Sequence, residues 1–145
     1  MICCSFKGVV ADQVSCEKIV NDYWVIGTWR TCYIGKTSEI SSADTKIVSR
    51  DESVERLDFS GNGKIKFLPI EVDEKIPNMI YFSAGRCSLT KISKANFKGL
   101  SKLRVLYLSY NKIEMIGSDV FEDLIALEEV FLGEFKFHCF PSHQH

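Results

Sequence analysis

The sequence has no excess of charge of either sign. Its 18 Lys and Arg face 19 Asp and Glu, a formal net charge of −1. A nucleic-acid binder presents a strongly basic face and a polybasic membrane anchor needs clustered cations, so neither is expected. No apolar run approaches the roughly 20 residues of a membrane-spanning helix, and no transmembrane segment is expected. An N-x-Ser/Thr glycan acceptor is also missing. All three histidines fall in the last residues, which leaves none elsewhere for a Ser/His or Cys/His arrangement. Gly61 and Gly63 do not match a phosphate-binding loop. Glu128 and Glu129 are neighbours in a strand-like segment, pointing to opposite faces, and make a poor acid/base pair. Enzyme readings therefore have little to stand on.

The chain ends do not supply the missing chemistry. His138, Cys139, His143 and His145 are metal-capable, but structural zinc wants four well-spaced ligands on a defined scaffold. These lie at a chain end with Pro141 among them, and residues 138–145 read as a solvated tail. No metal and no cofactor are expected. Met1 to Ala11 (MICCSFKGVVA) resembles the last part of a secretory signal, with Lys7 interrupting a short apolar stretch. We read 1–11 as a degenerate or truncated signal peptide; the alternative is an uncleaved, disordered start.

What the sequence does have is a repeat. Leu103, Leu106, Leu108, Asn111, Ile113, Ile116, Phe121 and Leu124 spell L-x-x-L-x-L-x-x-N-x-I-x-x-I with apolar residues beyond. Stepping back 24 positions finds Met79, Phe82, Ala84, Cys87, Leu89, Ile92, Phe97 and Leu100. Stepping forward by the same interval finds Leu127, Val130, Leu132, Phe135 and Phe137. A further coil precedes these, with Val54, Leu57, Phe59, Asn62, Ile65 and Leu68, and carries one extra residue near Gly63. We number the coils 1 to 4 from Val54, Met79, Leu103 and Leu127. Apolar residues two apart send both side chains to one side of a short strand. An inward Asn just past the strand can satisfy unpaired backbone groups of neighbouring turns. The later apolar residues fill the far side through short helical or 3₁₀ turns, which Pro69 and Pro77 keep irregular in coil 1. An amphipathic helix does not fit the spacing of Leu103, Leu106 and Leu108.

These residues resemble the leucine-rich repeat family over Val54 to Phe137. The likeness is to the 24-residue extracellular type found in Toll-like receptor ectodomains. The resemblance implies an α/β solenoid of about four repeats, a parallel sheet on its concave face, and a binding role without a named ligand. Cys87 and Phe135 in the Asn slot depart from the pattern.

A solenoid end needs a cover, and residues 12–53 read as an N-terminal cap and atypical first coil. Two β-rich segments, near Val14 to Val20 and Trp29 to Ile34, are expected to flank a loop containing Asn21 and Asp22. Such a hairpin brings Cys16 and Cys32 together, and a Cys pair ahead of the first repeat also matches the resemblance, so a Cys16–Cys32 disulfide is expected. Ile40, Ile47 and Val48 lead into the first coil. Cys87 points inward, too far from Cys139 for good disulfide geometry, and is expected to be a buried free thiol. If residues 1–11 are cleaved, Cys3 and Cys4 leave with them and Cys139 is the odd cysteine.

The candidate binding residues are the solvent-facing positions of the sheet. One column runs Asp58, Ser83, Tyr107, Phe131; its neighbour runs Arg56, Tyr81, Val105, Glu129; Tyr110 sits just past its strand. Exposed aromatic clusters mark contact surfaces, although such rings also steady a sheet by stacking laterally. The leading expectation is a secreted, extracellular module that recognises a protein or glycan, in immunity or adhesion. The alternatives are an intracellular regulatory or inhibitor subunit of an enzyme, and a truncated receptor ectodomain. Phe135, Phe137 and Phe140 can fold over the open end as a lid; otherwise that edge invites self-association.

Overall fold

In the computed structural model, residues 13–24, 27–133 and 136–137 are described. The signal-like segment, the residues with metal-capable side chains in the tail, and Phe135 and Phe140 lie outside them. Among the described residues nine strands form: β1 (Gln13–Ser15), β2 (Lys18–Trp24), β3 (Gly27–Tyr33), β4 (Lys46–Val48), β5 (Arg56–Asp58), β6 (Tyr81–Ser83), β7 (Val105–Tyr107), β8 (Glu129–Phe131) and β9 (Lys136–Phe137). Seven of them make one sheet in the order β2-β3-β5-β6-β7-β8-β9. β3, β5, β6, β7 and β8 run parallel, with Arg56 opposite Tyr81, Tyr81 opposite Val105, and Val105 opposite Glu129. The repeat spacing is thus the strand register itself: each coil contributes one three-residue strand to a β-solenoid.

The middle residue of every repeat strand points into the core. Leu57, Phe82, Leu106 and Val130 are fully buried, and so are Phe59, Ala84 and Leu108 just beyond them. Short 3₁₀ turns at Val72–Glu74 and Lys94–Asn96 return the chain on the far side. A phenylalanine series crosses the core from the sheet to the far side: Phe59, Phe82, Phe97 and Phe121 follow one another at centroid separations of 5.9, 6.0 and 5.8 Å.

The Asn slot works as the chemistry requires. Asn62 donates to the carbonyls of Gly35 and Ser38 and accepts from the Lys64 N–H. Asn111 donates to Ala84 O and Leu108 O and accepts from the Leu89 N–H. Cys87 reaches Phe59 O at 3.3 Å with its thiol alone. Asn96, which the repeat pattern did not single out, performs the same service on the far side. Its amide donates to Leu68 O and Pro69 O and its side-chain oxygen caps the turn at Ser93.

The cap contains the disulfide: Cys16 and Cys32 are bonded, with Cα atoms 5.3 Å apart. The hairpin differs from expectation. Asn21 and Asp22 are strand residues, paired with Arg30 and Trp29, and only residues 25–26 separate β2 from β3. Cys16 lies before β2, because Lys18 is already opposite Tyr33. Val14 belongs to a separate strand, β1, which pairs with β4 so that Val14 meets Ile47. Ile40 bridges to Ile65, laying the cap against coil 1.

The other differences lie at the last coils. Ile116 was expected to fill the core but is exposed, and Ile113 and Phe121 are only half-buried. The corresponding residues of coil 2, Leu89, Ile92 and Phe97, are buried because another full coil follows them. Coil 4 does not repeat that path. β9 turns back antiparallel to β8, with Phe137 opposite Val130, so Phe137 does not continue the repeat. The side chain of Phe137 lies outside the description, and with it the proposed aromatic lid.

Candidate binding face

The residues flanking each inward strand residue point to the opposite side of the sheet. Register places Arg56, Tyr81, Val105 and Glu129 in one row, and Asp58, Ser83, Tyr107 and Phe131 in the next. The hairpin extends this face, since Thr31 is opposite Arg56 and Tyr33 opposite Asp58.

Its two ends differ in kind. At the cap end, Arg56, Asp58 and Ser83 are buried, which corrects their expected exposure. The Arg56 guanidinium meets the Asp58 carboxylate at 2.8 Å and Asp22 at 3.8 Å, and lies 5.1 Å from the Tyr81 ring centroid. The Tyr33 hydroxyl donates to the same Asp22 oxygen. Burial and this carboxylate push the Tyr33 pKa up to about 12. Ser60 and Ser83 share a hydroxyl–hydroxyl bond, and the Ser60 N–H donates to Asp58. Arg56 and Asp58 are therefore spent on one another, on Asp22 and on Tyr81. The physical reason is the hairpin register. With Asn21 and Asp22 paired to Arg30 and Trp29 instead of lying in the loop, Asp22 faces the sheet surface as a second carboxylate for Arg56. Asp22 and Tyr33 were missed for this reason, although strand alternation in the observed register puts both on that face.

Beyond this polar plug the face is aromatic and half-exposed. Tyr81, Val105, Tyr107, Glu129 and Phe131 are all partly accessible. Tyr107 and Phe131 pack at 5.5 Å between centroids with a 43° tilt. The Tyr107 ring lies over Gly85, where any Cβ would run into it; the absent side chain is what lets the ring settle on the backbone. Burial also raises the Tyr81 pKa.

At the rim, Tyr110 is 54% exposed, and the Arg86 guanidinium lies 4.3 Å from its ring centroid. Both residues have left-handed backbones, with φ of 53° at Arg86 and 61° at Tyr110. Coil 1 puts Gly61 at the matching place with φ of 80°. Arg86 was not among the sequence-derived candidates, because its position between Gly85 and Cys87 reads only as a turn.

Two other surfaces compete. The far side of coils 2 and 3 holds a groove of about 670 Å³, lined by Lys91, Lys94, Glu114, Met115 and Asp119 among others. Its charges are of both signs, and Lys94 is engaged by Glu122 at 2.6 Å. Coil 3 also leaves Met115 and Ile125 exposed, at 82% and 71%. Among the described residues no group of His, Cys, Asp or Glu is placed to hold a metal ion, and no helix is long and apolar enough to cross a membrane.

Parallel strands recurring coil by coil, inward Asn62 and Asn111, and 3₁₀ returns make a β-solenoid consistent with leucine-rich repeats. Residues 85–134 match the family described as Leucine rich repeat. Such repeats are generally protein-binding modules without catalytic activity. No curated protein matches the sequence.

Proposed function

We propose that the chain is a non-enzymatic recognition module that binds a protein ligand through the aromatic half of its open sheet face. One observation carries the reading: Tyr107 and Phe131 stand in register on neighbouring strands, with Tyr81 on the preceding strand in the adjacent row, all half-exposed, with no core to fill. Large rigid rings of this kind supply contact area at low entropic cost and are enriched at binding hot spots. Lateral stacking alone accounts for the Tyr107–Phe131 contact but not for an aromatic surface continued to Tyr110. Recognition in an extracellular setting, in immunity or adhesion, is part of the proposal. The Cys16–Cys32 bond supports it, since such bonds persist in oxidising compartments.

The test starts from binders selected on the wild-type chain out of a displayed library of extracellular protein fragments. The combined Tyr107→Ala and Phe131→Ala variant should lose their binding by about a hundredfold or more while keeping its cooperative melting transition. Undiminished binding would move the site to the exposed surface around Met115 and Ile125.

A further inference from the structure

We propose that the Arg86–Tyr110 pair is the specificity edge of the binding face, and that it takes an acidic residue of the partner. The partner segment would carry an Asp or Glu beside an aromatic or aliphatic residue, with the apolar side chain resting on Tyr107. The inference rests on the binding role proposed above and adds the chemistry of what is bound.

Three observations lead there. The first is charge. Arg56, the other arginine on this side of the sheet, is enclosed by Asp58 and Asp22, whereas exposed Arg86 enters no ion pair among the described residues. The second is geometry. The Tyr110 ring, whose centroid is 4.3 Å from the Arg86 guanidinium carbon, covers one side of the guanidinium. The N–H donors at its edge are left to meet a planar two-oxygen acceptor, the arrangement in which arginine binds carboxylate best. The third is backbone conformation. A side chain in the left-handed region is strained where glycine is relaxed, and coil 1 shows the relaxed solution at Gly61. Arg86 and Tyr110 keep the strain at exposed positions that add nothing to the core. Strain held in this way marks a surface selected for what it touches.

Tyr107 connects this edge to the rest of the face. Its ring lies over Gly85, which the Ser109 carbonyl also approaches, and these two residues immediately precede Arg86 and Tyr110. One guanidinium next to apolar rings suits a short acidic–apolar peptide motif. A sulfated polyanion calls instead for a row of cations.

The experiment is selection of phage-displayed random peptides on the full chain, followed by re-assay on variants. Enriched peptides should pair Asp or Glu with a neighbouring aromatic or aliphatic residue. Arg86→Gln should weaken them about tenfold or more, and Arg86→Lys should restore only part of that loss. Arg86→Gly should melt no lower than wild type, because the backbone relaxes. The combined Tyr107 and Phe131 alanine variant should bind none of them. Peptides without acids, or peptides indifferent to Arg86→Gln, would overturn this assignment and leave the binding face standing. Heparin binding that is lost in Arg86→Gln while no acidic peptide is enriched would overturn it in favour of a glycan. Binding untouched by the Tyr107 and Phe131 changes, or no enrichment of any ligand, would overturn both readings.

Discussion

Cys87 sits where the coils on either side place asparagine, and the substitution has chemical consequences. The Asn62 and Asn111 amides each donate twice and accept once, whereas the thiol has one weak proton to offer. Enclosed beneath the sheet, it is pushed up from an ordinary pKa of 9.0 to about 11 by burial. Between those values the unfolded chain releases a proton that the folded chain keeps, so stability must fall as pH rises. The contribution is complete below pH 9.0 and gone above about 11. Tyr33, raised from 10.0 to about 12, adds to the fall with the same sign at somewhat higher pH. Urea titrations across this range should show stability declining from pH 9 upward, with a shallower decline in Cys87→Ala. Equal slopes in the two proteins would mean that the thiol is not held neutral by the fold. That Cys87 is inward was legible from its slot in the repeat. The enclosure of Arg56 and Asp58 was not, because it depends on Asp22, a residue far along the chain whose facing is decided by the pairing of β2 with β3.

The hairpin is the element on which sequence reading and structure part most clearly. The pairing of Cys16 with Cys32 was readable from their place ahead of the first repeat, yet Asn21 and Asp22, expected in the loop, are paired strand residues. Asn21 and Asp22 are residues that favour turns, which is why the loop was expected to include them. The observed register wins by forming a longer ladder, from Lys18 opposite Tyr33 to Trp24 opposite Gly27. It also aligns Asp22 with Arg56. The repeat strands, by contrast, were legible to the residue, since apolar positions two apart define which side chains go inward. The disulfide ties this hairpin across 16 positions of sequence. In the chain-entropy model a loop of that size is worth roughly 3 kcal/mol. Urea unfolding under reducing conditions should therefore show about that loss, with the sheet of coils 1 to 3 still forming. An unchanged midpoint would show that the cap is held by packing on coil 1 alone.

At the scale of the whole molecule, each coil covers the one before it, and the quality of the core follows from having a successor. Coils 1 and 2 bury their far-side repeat residues Ile65, Leu68, Leu89, Ile92 and Phe97; coil 3 leaves Ile116 and Met115 in solvent, and β9 reverses against β8 instead of beginning another turn. The repeat pattern showed where coils begin but not where stacking stops, because Leu127, Val130 and Leu132 continue the spacing up to the point of reversal. Inter-coil ion pairs, Arg104 with Glu128 and Lys94 with Glu122, accompany this stacking on the surface, where each contributes little. Stability thus comes from nearest-neighbour burial along one axis. Recognition is assigned to the sheet side, where aromatic rings are presented on neighbouring strands. The measurement that tests this most directly is hydroxyl-radical footprinting of the chain with and without a selected protein binder, read out residue by residue. The account predicts protection of Tyr81, Tyr107, Tyr110 and Phe131 while Met115 is oxidised as readily as in the free chain. Protection of Met115 with the four aromatic residues unchanged would contradict it and place the contact on the exposed surface of coil 3.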